Sequence, residues 1–214
     1  MKEAGHCRAT LDVETTGLSS SRRVVEVAIV ISTPAGEIVD RYETTINPQR
    51  PVGQSRSIHG LSDLDLGEAP IFKEVAADVL QLIKGNVVIA HNLPFDWTTL
   101  ADEFERCGVQ FPSISGWCTS RLASTAMGRG SVTAHVRLSE ACQFFGIENK
   151  SPHTAMGDAE ATHQLFEVVQ SLLPLPPAQP LGRVSGLLRL PTPVLPLPRS
   201  ELKTSNSCVM GVDK

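Results

Sequence analysis

The chain has 214 residues, 41% hydrophobic, 20% charged and only 5% aromatic, which allows one ordinary domain with some extra length or two small ones. Up to Leu173 it carries 14 Lys+Arg against 21 Asp+Glu, net −7, and beyond that point 5 against 2, net +3. An acidic body disfavours a partner gripped along many phosphates, but it accommodates an enzyme whose carboxylates are offset by metal ions. Every Phe, Trp and Tyr lies between Tyr42 and Phe166, whereas eight of the fifteen prolines fall between Pro174 and Pro198. A folded domain is therefore expected over residues 1–173, followed by a Pro-rich, flexible tail over 174–214.

Five cysteines, at positions 7, 107, 118, 142 and 208, are widely spread with no Cys-x-x-Cys pair, which argues against a disulfide framework or a zinc cluster. The first residues hold no apolar leader, and no apolar run reaches the roughly 18 residues of a membrane helix. A cytoplasmic protein with no membrane partner is expected.

Short β-like segments open the chain. Ala9–Val13 reads as one strand, the branched-apolar run Val24–Ile31, broken only by Glu26, as a second, and Glu37–Ile46 as a third. The short turns between them predict an antiparallel meander. After a polar loop, Pro70 opens a helix with Ile71, Val75, Val79, Leu82 and Ile83 at helical spacing, ended by Gly85. Val87–Ala90 reads as a short buried strand. Asn92 then offers an N-cap, and Trp97, Ala101 and Phe104 form the buried stripe of a helix closed by Gly108. Trp117 falls on a fifth strand, Met127–Ala134 reads as a loop, and Leu138–Phe145 as a helix stopped by Gly146. A last helix is expected over about Thr154–Leu172, with Ala155, Ala159, Thr162, Phe166, Val169 and Leu173 spaced four and three apart. The order predicts an α/β domain: one mixed sheet with its first three strands antiparallel and helices on its faces. The tail, with its Pro-Leu-Pro units, reads as an extended or disordered linker, or as a short peptide that orders on a partner through Leu187, Leu188 and Leu190.

Asp12 and Glu14 lie two apart on a strand, so both carboxylates leave the same face. Alone, such a pair usually marks a solvated strand. Asp96, in His91-Asn92-Leu93-Pro94-Phe95-Asp96, and Asp158 both fall in first turns of helices, where a carboxylate already gains about 0.3–1 kcal/mol from the macrodipole. His153 follows Pro152 in the loop that feeds the last helix. Each residue has a bland explanation by itself. Together they form Asp-x-Glu-Thr-Thr-Gly, then His-Asn-x-x-Phe-Asp, then His-x-Ala-x-x-Asp-Ala, each at the edge of an element.

This joint pattern resembles the DEDDh branch of the DEDD exonuclease superfamily, and in particular the proofreading (epsilon) subunits of bacterial DNA polymerase III. The likeness covers roughly Ala9–Leu173 and includes Arg23-Val24-Val25-Glu26-Val27, Ile58-His59-Gly60-Leu61 and Leu138-Ser139-Glu140-Ala141-Cys142. It implies a ribonuclease H-like exonuclease fold and the removal of nucleoside 5′-monophosphates from 3′ ends. By the same resemblance, Asp12, Glu14, Asp96 and Asp158 would hold two Mg²⁺ or Mn²⁺ ions and His153 would be the general base. Two ions about 4 Å apart offset charge on attacking and leaving oxygens, hard cations select carboxylates, and an imidazole can accept a proton near neutral pH. Thr15 and Thr16 would meet the terminal sugar, Leu18 and His59 would border the last base, and Phe95 would lie under the site, with core packing the alternative for Leu18 and Phe95.

Arg22, Arg23, Arg121, Arg129 and Lys150 are scattered, which suits a grip on two or three terminal phosphates. Leu93-Pro94 stands where the family usually has small residues; proline fits the first helical turn, so a site of preserved geometry with a narrowed or reshaped mouth is expected. Gly157 in the first turn of the last helix is expected to cost about 1 kcal/mol relative to Ala. A DNA-directed exonuclease is the reading adopted, with single-stranded 3′ ends as substrate and a polymerase or other replication or repair assembly as a partner for the tail. RNA 3′-end trimming, or a weakly catalytic binding subunit of such an assembly, are the alternatives.

Overall fold

The computed structural model describes residues 6–109, 114–129 and 135–181. Strands β1 (Arg8–Thr15), β2 (Val24–Ser32) and β3 (Ile38–Thr45) form the antiparallel meander that the early turns predict. β4 (Val87–Ala90) pairs parallel with β1, and β5 (Ile114–Cys118) parallel with β4. The spatial order is β3-β2-β1-β4-β5-β6. All nine residues of β2 are buried, which explains its near-continuous apolar run: helices cover both of its faces.

Helices α3 (Phe72–Ile83) and α4 (Leu93–Arg106) cover one face. Their buried residues, including Val75, Val79, Leu100 and Phe104, join Leu11, Val27 and Ile29 of the sheet in the larger core. Phe72 and Phe104 meet edge to face at 5.1 Å. On the other face α5 (Thr119–Ala126), α6 (Leu138–Phe145) and α7 (Ala155–Leu172) close a second cluster around Ile89, Leu165, Phe166 and Val169. Each fully buried Leu or Phe here contributes about 1.5–3 kcal/mol, so α7 is fixed to the sheet by packing rather than by helix propensity. Gly146 ends α6 in the left-handed region, as its position suggested.

Several short elements escape periodicity. The polar loop after β3 contains a 3₁₀ turn (Gly53–Ser55) and two one-turn helices, α1 (Arg56–His59) and α2 (Asp63–Gly67), too short to repeat an apolar stripe. Helix α5 follows β5 directly and was also not foreseen. Asn92 precedes α4 as expected, but its side chain makes no capping hydrogen bond; its carbonyl accepts from the Phe95 and Asp96 N–H groups instead.

The sheet continues past Leu173. Residues Gln179–Leu181 form β6, antiparallel to β5, and the Trp117 indole donates to the Pro176 carbonyl at 2.9 Å. This stretch lies in the segment read from composition as a linker. A proline is tolerated there because β6 is an edge strand, where an N–H is not required on the open side. The remainder of the tail and part of the 127–134 loop lie outside the described residues. Among those described, no helix is long and apolar enough to cross a membrane, and Cys107, Cys118 and Cys142 are free thiols.

Candidate active site

Strand β1 runs between β2 and β4, but β4 pairs it only as far as Thr10. Beyond that point the strand edge opens, and Asp12 and Glu14 project from it on one face. Helix α4 begins just after β4, so Asp96 in its first turn arrives at the opened edge, where its buried carboxylate faces the Val13 backbone N–H. Helix α7 crosses β1 and β2 and brings Asp158 from the other side. One carboxylate oxygen from each of Asp12, Glu14 and Asp158 lies within 4.8 Å of the others. Asp96 stands beside Asp12 but outside that group of three, near enough to disfavour the ionisation of Asp12.

The electrostatics follow from this crowding. Desolvation first, then Asp96, Asp158 and Glu14, push Asp12 well above the usual carboxylate range. Glu14 is pushed up to about 8 by desolvation and by Asp158, Glu26 and Asp96. Asp96 is raised to about 7 by desolvation, against the pull of the Val13 N–H and of the Arg22 guanidinium. Asp158 is raised by burial, while Asn149, the His153 backbone and the His153 charge pull it down. Among the described residues, none of these four carboxylates forms an ion pair with Lys or Arg. Converging, desolvated, uncompensated carboxylates are the donor set of a hard divalent cation, and they fit Mg²⁺ or Mn²⁺.

His153 lies at the exposed rim next to Asp158, in the left-handed region at φ 64°. Its loop is held by Gly157. A Cβ there would stand 2.0 Å from the Ser151 carbonyl oxygen. The glycine expected to weaken α7 is thus what lets the His153 loop pack on the helix. Asn149 donates to Asp158 Oδ1 at 2.6 Å and orients it. Nothing in the sequence pattern singled out Asn149, because its partner is nine residues away across a loop.

The residues expected at the substrate divide. Thr15 is buried and donates its hydroxyl to the Gly17 carbonyl at 2.8 Å. The Thr16 hydroxyl accepts from the Arg23 N–H at 3.1 Å, which leaves its proton for an outside acceptor. Leu18 is 85% exposed at the tip of the β1–β2 turn, which removes core packing as its explanation. Phe95 is half-buried beneath the Arg22 guanidinium, 4.8 Å from the ring centroid. His59 is 9% exposed: its Nδ1 accepts from the Leu61 N–H at 3.1 Å and its Nε2 meets Ser55 Oγ at 3.2 Å. The ring also donates toward the Thr15 backbone carbonyl of β1, so both of its nitrogens are engaged and only a ring face is left for a base.

Three of the five cations thought available for phosphates are already engaged. Arg22 donates to Thr98, Thr99 and the Ser19 carbonyl, Arg23 pairs with buried Glu103 at 2.7 Å, and Arg129 pairs with Glu140 at 2.6 Å. Leu93 does not narrow the mouth. It is buried, turned toward Gly116 on β5, where a Cβ would come within 2.9 Å of it. His91 of the second motif is buried too, its Nε2 donating to the Val136 carbonyl at 2.7 Å and its Nδ1 accepting from Thr119 at 3.0 Å.

Comparison with known proteins agrees with the architecture. The exonuclease family model RNase_T matches residues 10–166. A PolC-type DNA polymerase III of Oceanobacillus iheyensis is 32% identical over 76% of this chain and 11% of its own length. The 3′-5′ exonuclease DinG of Bacillus subtilis is 30% identical over 82% of this chain and 19% of its own. The chain thus spans between about a tenth and a fifth of those relatives. Among solved structures, exonuclease I superposes with a TM-score of 0.69 at 18% identity, covering 79% of this chain and 42% of that one. Exonuclease X in complex with 5′ overhanging duplex DNA gives 0.58 at 21%, covering 77% and 91%. The six-stranded mixed sheet is the ribonuclease H-like exonuclease fold, and the chain belongs to the RNase_T exonuclease family.

Proposed function

We propose that the chain is a divalent-metal-dependent 3′-5′ exonuclease of the DEDDh type, acting on single-stranded DNA ends and releasing nucleoside 5′-monophosphates. The observation that carries this reading is the convergence of Asp12, Glu14 and Asp158 within 4.8 Å, with Asp96 beside Asp12 and His153 at the rim. In this reading Asp12, Glu14, Asp96 and Asp158 hold two Mg²⁺ or Mn²⁺ ions. Bound there, the ions would supply charge stabilisation to the attacking and leaving oxygens of the phosphodiester.

The remaining chemistry belongs to the chain's own groups. His153, exposed at the rim beside Asp158, accepts the proton of the attacking water on a ring nitrogen. Asn149 keeps Asp158 aimed inward. The Thr16 hydroxyl offers its proton to the terminal sugar, Leu18 lies against the last base with the face of His59 nearby, Thr15 shapes the turn, and Phe95 supports the floor. Of the five cations considered for phosphates, Arg121 and Lys150 are left without a side-chain partner among the described residues, which suits a substrate held by its last few nucleotides. DNA is preferred because relatives include DNA polymerase III of the PolC type, and one neighbouring structure is exonuclease I with a dT13 oligonucleotide. Association with a polymerase or repair assembly through the part of the 174–214 tail that follows β6, outside a catalytic unit of residues 1–173 to which β6 adds an edge strand, and a cytoplasmic location complete the proposal.

The test is release of mononucleotide from 3′-labelled DNA and RNA oligonucleotides of one sequence, with Mg²⁺ or Mn²⁺, by wild type and Asp12→Ala. Metal-dependent release that Asp12→Ala abolishes, faster on DNA, is the expected result. Faster release from RNA would transfer the substrate to RNA, and no release under either metal would leave a binding subunit.

A further inference from the structure

The first turn of α7 bears Asp158, and the loop just before it bears His153, so whatever fixes this helix end fixes both against β1. A helix opens with four N–H groups that have no intrahelical partner. Here all four face acceptors. The Gly157 N–H donates to Thr154 Oγ1 at 3.1 Å and the Thr154 N–H to the Ser151 carbonyl at 3.3 Å. The Met156 N–H faces the carboxylate of Glu43 on β3. The Ala155 N–H donates to Glu26 Oε2 at 2.7 Å, across 129 residues of sequence.

Glu26 is the single charge in the apolar run of β2 and is only 8% exposed. Its register partner on β1 is Glu14. Directly opposed residues in an antiparallel pair share a face, so Glu26 stands beside Glu14 on the acidic side of the sheet. A fifth carboxylate there adds to the repulsion on Asp12 and Glu14. It is not in the converging group, and one of its oxygens is committed to the Ala155 N–H. Burial raises the Glu26 carboxyl above its ordinary range, and the Ala155 N–H at the positive end of α7 pulls it back down.

We infer that Glu26 is a positioning residue, a carboxylate on the strand next to β1 that ties the N-terminus of α7 to the sheet and so sets Asp158 and the His153 loop against Asp12 and Glu14. The inference rests on the exonuclease reading for its effect on rate. The tie itself can be measured without it.

Glu26→Gln keeps an oxygen acceptor at the same reach, and Glu26→Leu removes it at similar volume. Three readouts are compared: amide hydrogen exchange of Ala155 in metal-free protein, binding of Mn²⁺ followed by the electron-spin signal of the free ion, and kcat and KM on a 3′-labelled single-stranded DNA oligonucleotide. Glu26→Leu is expected to exchange the Ala155 amide at least 10-fold faster, bind Mn²⁺ at least threefold more weakly, and lose 10- to 100-fold in kcat with KM within threefold. Glu26→Gln should stay within threefold of wild type in all of them. A merely structural role would lower the melting temperature of Glu26→Leu and leave kcat, Mn²⁺ binding and the Gln–Leu contrast unmoved, and that result overturns the inference. Glu26→Ser replaces the leucine variant if the latter does not fold. Should wild type release no nucleotide, the exonuclease reading fails while Ala155 exchange and Mn²⁺ binding still decide the positioning role.

Discussion

Metal-free protein should become less stable as pH rises toward 8, and Glu14→Gln should reverse part of that loss. Glu14 is raised from 4.5 to about 8 and Asp96 from 3.8 to about 7, both through desolvation and neighbouring carboxylates. Below the unfolded values both states are protonated and nothing is lost. Above them the unfolded chain ionises while the folded one keeps its protons, so stability falls by about 1.4 kcal/mol per group and pH unit until the folded value is reached. His59, His91 and His163, lowered by burial, act in the opposite sense, but only up to their unfolded value of 6.5. Between about pH 6.5 and 8, Asp96 therefore costs about 0.7 kcal/mol, and Glu14 about 1 kcal/mol after halving for its partial solvation. Asp12 adds to both in the same direction. A total of about 2 kcal/mol corresponds to a melting temperature lower by about 4–8 °C. In EDTA at about pH 8, Glu14→Gln should melt roughly 4–8 °C above wild type, since the whole discounted cost of Glu14 there is about 2 kcal/mol. Mg²⁺ at about 100 times its Kd should raise wild type by about 2.7 kcal/mol and leave Glu14→Gln far less affected. Differential scanning calorimetry over that pH range, with EDTA or Mg²⁺, measures all three. A wild-type melting temperature flat or rising toward pH 8 in EDTA, or a Glu14→Gln variant less stable than wild type, would refute the reasoning.

Gly157→Ala should be destabilising despite the better helix propensity of Ala, because its Cβ would meet the Ser151 carbonyl at 2.0 Å. A loss of about 1–3 kcal/mol on chemical denaturation and about 100-fold in kcat, from displacement of the His153 loop, is expected; a variant as stable and as active as wild type contradicts the packing described. Leu18→Ala, by contrast, removes a side chain that is 85% exposed. Stability should change by less than about 0.5 kcal/mol while KM for oligonucleotide rises severalfold, and an unchanged KM would remove Leu18 from the substrate site. Finally, with Arg22, Arg23 and Arg129 engaged by protein acceptors, affinity should depend weakly on salt. Two neutralised phosphates give a slope of about −1.4 in log K against log salt, and fluorescence anisotropy with Ca²⁺ in place of Mg²⁺ would disprove the small footprint if the slope exceeded about −4.

The meander and the long helices were legible in the chain before any packing was known, and its motifs pointed to Asp12, Glu14, Asp96, Asp158 and His153 as a candidate site. A near-continuous apolar run is written directly in Val24–Ile31 and period-3.6 burial in Val75, Val79 and Ile83, and the candidate site residues sit at element edges that those patterns locate. How the candidate site is held became visible only in the packing of the elements. That Glu26 caps α7, Asn149 orients Asp158, and Arg22 is spent on α4 depends on groups 129, nine and 77 residues apart. Local spacing contains no record of such pairs. The same holds for β6, whose composition reads as linker but whose backbone finds the open edge of β5, and for Gly157, a weak helix former whose missing Cβ is occupied by the Ser151 carbonyl. Hydrophobic periodicity states which face of an element is buried. What lies against that face, and which polar groups are satisfied there, is settled when the elements pack and every buried N–H must find an acceptor.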